Sequence, residues 1–252
     1  MSDVVVPTRH GDIPVHVAVP DVPGPRPGVV LVHDVTGMSG DLRLQADWLA
    51  REGFLAAAPD LFHRGGRLRC LRTAAKDLGA RRGRTFDDVE AIRSWLTAHP
   101  RCTGRTGVVG FGLGGGYALA LAAEHGFAAA STNYGGCPEG AEQWLPRACP
   151  IVGSYGGADR TPLGGDAGRR LEGILTETGV EQDIRIYPGA GHGFMNHHDP
   201  ADLSPVLRAI GRFRRSGYDD PAAQDARRRI AAFLDRHLQE RTDEDVPADS
   251  PG

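Results

Sequence analysis

Short, fully apolar runs that recur a helix-length apart constrain this chain more than any other feature. Gly28 to His33 reads GVVLVH. No polar residue alternates within the run, which is how a strand covered on both faces reads. Phe54 to Ala58, Thr106 to Gly110, Ala128 to Tyr134, Ile151 to Tyr155 and Ile184 to Tyr187 follow the same rule. Helical periods lie between them. Asp41 to Glu52 is closed by Gly53; Phe86, Val89, Ile92 and Leu96 mark one face; Gly115 to His125 is rich in small residues. Further helices span about Gly168 to Glu177, capped near Gly179, and Ala222 to Gln239. Alternating strands and helices predict an α/β fold, a mainly parallel central sheet with helices on both faces. Ligands in such sheets bind beyond the carboxyl ends of the strands.

The ends and one middle segment depart from this pattern. Val4 to Val6 and Ile13 to Val17 read as two strands joined by a turn at His10-Gly11-Asp12, and Pro20 to Pro27 as a loop. Leu61 to Arg84 is basic and has no clear period, which predicts a short helix and a cover over a cleft. The polar, acidic tail predicts one domain over residues 1–240 and disorder over 241–252.

Composition excludes several classes. The net charge is −3, with no basic stripe, which argues against a nucleic-acid partner. No apolar run reaches the roughly 20 residues that cross a bilayer. The first residues lack a basic stretch followed by an apolar one, so a cytoplasmic protein is expected. Cys70, Cys102, Cys137 and Cys149 form no CxxC pair, so free thiols and no zinc ribbon are expected. His192, His197, His198 and Asp199 have no helical ligand spacing, so no metal site is expected there. The oligomeric state is left open.

The segment Gly107-Val-Val-Gly-Phe-Gly-Leu-Gly-Gly-Gly116 carries the chemistry. A strand runs into a glycine-rich turn and then a helix. Nucleophile elbows have the form G-x-S-x-G, or the same with cysteine. Here Gly110 and Gly114 keep the flanking positions and Gly112 takes the centre. The spacing also satisfies GxGxxG, but no acidic strand end follows about 20 residues later, as a dinucleotide site needs. Asp159 follows one predicted strand and His192 follows the next. The order elbow, Asp, His is that of α/β-hydrolases.

With His33-Asp-Val-Thr-Gly37, Ala58-Pro-Asp-Leu61 and Asn133-Tyr-Gly135, these motifs make the chain resemble the dienelactone hydrolase family of the α/β-hydrolase fold from about Gly28 to Phe194. The resemblance implies a small-molecule ester or lactone substrate, a Cys–His–Asp triad and no cofactor. It implies Asp159 as triad acid, His192 as base, and the N–H groups of Leu113 and Val35 as oxyanion donors. Asp34 would face the nucleophile, and Tyr134 would line the pocket. Asn196 stands where family members often carry an arginine for the substrate carboxylate. Gly112 has no attacking atom, and four readings follow. His192 and Asp159 activate a water; or the chain is a pseudoenzyme that binds a ligand or partner; or His192 acts as base in a non-hydrolytic, lyase or cyclase step; or the glycine is an engineered or erroneous replacement of an ordinary cysteine. Cys137 at the same sheet edge reads as a loop residue or a substitute nucleophile. His33 reads as a pocket residue or a packed one.

Overall fold

The structure, a computed structural model, describes residues 2–197 and 217–239. Among these, eight strands form one sheet in the order β1-β2-β4-β3-β5-β6-β7-β8. They are β1 (Ser2–Val6), β2 (Ile13–Ala18), β3 (Arg26–Val32), β4 (Leu55–Pro59), β5 (Cys102–Phe111), β6 (Ala129–Asn133), β7 (Ile151–Gly156) and β8 (Gln182–Tyr187). β1 and β2 pair antiparallel, and β2 joins β4 antiparallel. From β4 to β8 every pairing is parallel. This is an α/β-hydrolase-type fold.

The helices are α1 (Gly40–Arg51), α2 (Arg67–Ala80), α3 (Arg84–Thr97), α4 (Leu113–Leu121), α5 (Gly165–Thr178) and α6 (Asp220–Leu238). In β3, Val30 and Val32 belong to the core shared with α3, α4 and α5, while Val29 and Leu31 belong to the core shared with α1 and α6. That period of two places hydrophobic cover on both faces and explains the unbroken apolar run.

Several boundaries differ from the sequence reading. Within Leu61 to Arg84 there is a regular 14-residue helix, α2. Its buried positions are Cys70, Ala74 and Asp77, small or polar side chains that give a weak signal beside the half-buried Leu71 and Leu78. β5 begins at Cys102, four residues before the Thr106 start read from the sequence, across a register shift opposite Arg26 and Gly28. α4 begins at Leu113, two residues before Gly115, and stops at Leu121. The predicted tail 241–252 lies outside the described residues. No described helix is long and apolar enough to cross a membrane.

Candidate active site

The loops after β3, β5, β6, β7 and β8 carry Asp34, Gly112, Tyr134, Asp159 and His192 at the carboxyl edge of the sheet. At the centre, Gly112 has φ 54° and ψ −114°, which side chains rarely adopt. Its N–H donates to Asn133 O at 3.0 Å, and its carbonyl accepts from the N–H groups of Gly115 (3.0 Å) and Gly116 (3.3 Å). A side chain on Gly110 would overlap the Gly114 carbonyl, and one on Gly114 would overlap the Val32 carbonyl. The flanking glycines therefore let α4 cross close over β3. A Cβ on Gly112 would meet Asp34 Cβ at 3.3 Å and His192 Nε2 at 4.0 Å. The direction in which this turn would project a side chain leads to the imidazole.

His192 Nδ1 lies 2.8 Å from Asp159 Oδ2. Beside a carboxylate that nitrogen is the donor, which leaves Nε2 with its lone pair on the Gly112 side. The Asp159 side chain is fully buried and that of His192 is 15% exposed. Burial pushes the Asp159 carboxyl up, but the hydrogen bonds from His192 and Thr161 outweigh it and hold the group below its usual range. The Thr161 N–H donates to Asp159 Oδ1 at 2.9 Å, which fixes the carboxylate plane.

Leu113 is the first residue of α4, so its N–H lies at the positive end of the helix dipole. Neither that N–H nor the N–H of Val35 donates to an acceptor among the described residues. Asp34 Oδ1 accepts from Thr36 N–H (2.8 Å) and Thr36 Oγ1 (2.5 Å). His33 is buried. Its Nε2 accepts from Leu61 N–H at 3.2 Å, so Nδ1–H is the donor to Asp34 O at 2.7 Å. Burial pushes the His33 pKa down, so the ring is neutral with both nitrogens engaged. That satisfies the packing reading of His33.

Asn196 and Tyr134 are placed differently from the substrate-contact reading. Asn196 is 6% exposed and Tyr134 1%. The Tyr134 hydroxyl donates to Asn196 Oδ1. Asn196 Nδ2 donates to Asp41 Oδ2 at 2.5 Å, and Asp41 Oδ1 accepts from His197 N–H at 2.7 Å. Both ends of the Asn196 amide are thus engaged inside the protein, and a ligand cannot be gripped there without breaking this chain. Burial, with the Asp41 and Asp34 carboxylates nearby, holds the Tyr134 phenol well above its usual range. Its ring meets the His192 imidazole edge-on, with centroids 5.4 Å apart. Tyr134 itself has φ 42°. Asp41 was read only as the start of a helix, because its partners lie some 155 positions away in sequence.

Burial pushes the Cys137 thiol up in spite of Arg170, so little thiolate forms there near neutral pH. Cys149 is pushed up to about 12, also by burial. His197 is described, while His198 and Asp199 lie outside the described residues. Among the described residues no three metal-ligating side chains are grouped. The cleft predicted beneath Leu61–Arg84 has a counterpart there, a cavity of about 310 Å³ lined by Leu61, Arg64, Arg69 and Arg84 among others, but by none of Asp34, Gly112, Tyr134, Asp159 and His192.

The profile of the dienelactone hydrolase family matches residues 13–238. A carboxymethylenebutenolidase of Rhodococcus opacus is 30% identical, with 83% of this chain and 81% of the relative covered. The dienelactone hydrolase of Anabaena variabilis superposes with a TM-score of 0.68 at 21% identity, over 94% of this chain and 98% of that one. A dienelactone hydrolase-like promiscuous phosphotriesterase from metagenomic libraries gives 0.75 at 21% identity, over 94% and 99%. At this identity the two structures bear on the fold alone.

Proposed function

The chain belongs to the dienelactone hydrolase family, and from that premise we propose that it hydrolyses small esters or lactones with water in place of the missing side-chain nucleophile. One observation carries the reading: the side-chain direction of Gly112 ends 4.0 Å from His192 Nε2, with Asp159 behind the ring. A water in that space would attack the carbonyl carbon and give its proton to Nε2. Asp159 would hold the resulting imidazolium without taking the proton. The N–H groups of Leu113 and Val35 would receive the oxyanion. Collapse would then break the acyl–oxygen bond, and the leaving alkoxide would take the proton from Nε2. The acid and alcohol leave with no acyl-protein formed.

A glycine elbow gives up covalent catalysis, so a slow enzyme is expected. Triad hydrolases stripped of their nucleophile retain roughly 10³–10⁴-fold over water. The test is hydrolysis of p-nitrophenyl acetate and a neutral γ-lactone by the native protein and by His192→Ala, with mass spectrometry of the protein during turnover. Activity that His192→Ala removes, with no acylated protein, supports the reading. Equal activity in both proteins overturns the role of His192. A native protein with no activity on any ester favours the ligand-binding alternative.

A further inference from the structure

The cavity beside α2 lies outside the candidate active site, whose residues do not line it. Its volume of about 310 Å³ is at the lower end for a small-molecule site. Arg64, Arg69 and Arg84 line it, with Asp88 as the single acidic residue. Asp88 is already engaged: Oδ1 accepts from the Thr8 hydroxyl at 2.8 Å and Oδ2 from Arg64 at 2.7 Å. Arg84 stands 3.9 Å from the same oxygen, beyond hydrogen-bond reach. Arg69 makes no ion pair among the described residues. Three arginines thus share one carboxylate, Arg84 only through a long ion pair, and the lining carries a surplus of positive charge.

The lining is also held in place. Arg64 donates to the carbonyls of Gly11 and Asp12 as well as to Asp88, and the Cys70 thiol donates to Arg64 O at 2.9 Å. The one other acid between Arg64 and Arg84 is Asp77, which is buried and accepts from the Thr85 N–H (3.0 Å) and hydroxyl (3.1 Å). A surface that only needed solubility would interleave both signs of charge; here like charges converge on a concave site.

We propose that this cavity binds a small organic molecule through a phosphoryl dianion, with Arg69 and Arg84 supplying charge-assisted hydrogen bonds and Arg64 a fixed wall. Guanidinium forks match phosphate oxygens geometrically, and the volume left over accommodates the organic body. This goes beyond the hydrolase reading and does not depend on it.

The test is calorimetric titration of the whole protein with inorganic phosphate, glycerol 3-phosphate and uncharged glycerol in low-salt buffer. Native protein, Arg69→Ala/Arg84→Ala and His192→Ala are compared. The expected result is one saturable site for both phosphates, tighter for glycerol 3-phosphate, and none for glycerol. The double variant is expected to weaken binding about tenfold or more, and His192→Ala to leave it unchanged. Absent saturable binding, or binding that survives in the double variant with a native melting curve, overturns the site. Binding lost in His192→Ala places the anion in the catalytic cleft and also overturns it. Glycerol 3-phosphate binding no tighter than inorganic phosphate removes the organic part of the proposal.

Discussion

Replacing Gly112 separates two properties of the elbow, its strain and its aim. At φ 54° and ψ −114° an L residue carries about 1–3 kcal/mol of backbone strain. A new Cβ also meets Asp34 Cβ at 3.3 Å, so Asp34 must give by a few tenths of an ångström. Against this, a β-carbon narrows the unfolded ensemble and returns about 0.4–1 kcal/mol. The balance for Gly112→Ala is a loss of about 1–2 kcal/mol. In a chain of 252 residues each kcal/mol moves Tm by about 2–4 °C. Scanning calorimetry at pH 7 is then expected to place Gly112→Ala about 2–8 °C below the native protein. Gly112→Cys carries the same strain and adds a thiol directed at His192 Nε2. Loss of the nucleophile costs a triad hydrolase about 10⁶ in kcat, so even partial recovery is expected to raise ester turnover by roughly 100-fold or more. Alanine, strained but without a nucleophile, is the control. A Tm for Gly112→Ala at or above the native value would refute the strain argument. A folded Gly112→Cys that turns over ester no faster than Gly112→Ala would remove this position from the reaction.

Three further outcomes follow from the same geometry. Asp159 is held below its usual range, so its share of stability is present above the ordinary carboxylate pKa and is lost as pH falls through the depressed folded value. Stability is expected to drop below about pH 4, and Asp159→Asn to flatten that acid limb in urea titrations; parallel limbs would count against it. Asn196→Ala strands the buried Asp41 carboxylate and Tyr134 hydroxyl and is expected to cost about 2–4 kcal/mol, read from the urea midpoint. A change within a few tenths would mean the network is slack. Gly114→Ala drives a methyl into the Val32 carbonyl; loss of soluble folded protein is expected, and a native melting curve would contradict the close crossing of α4 and β3.

The parallel strands were legible because burial on both faces leaves nothing but apolar residues, as in Val29 to Val32. The relation of Gly112, Asp159 and His192 was legible because each stands directly after a strand and chain order follows sheet order. α2 was not, because its buried positions are Cys70, Ala74 and Asp77, and Leu71 and Leu78, which pack beside them, are set among arginines and a lysine. The start of α4 was hidden because glycines carry little helix signal; the turn is fixed instead by carbonyl acceptance at Gly112. The part played by Asn196 was out of reach. It depends on Asp41 in the first turn of α1 and Tyr134 after β6 meeting Asn196 in space, and no local pattern encodes such a meeting.

The hydrogen bond from Gly112 to Asn133 O has a consequence for how the protein breathes. It ties the turn after β5 to the last residue of β6, while Gly114 rests on the end of β3. Those three are central strands, so the amide can meet solvent only when the middle of the sheet comes apart. Its proton should therefore exchange with deuterium on the timescale of whole-molecule opening. The turn that lacks a reactive side chain would then be among the last places in the protein to let go of its hydrogen.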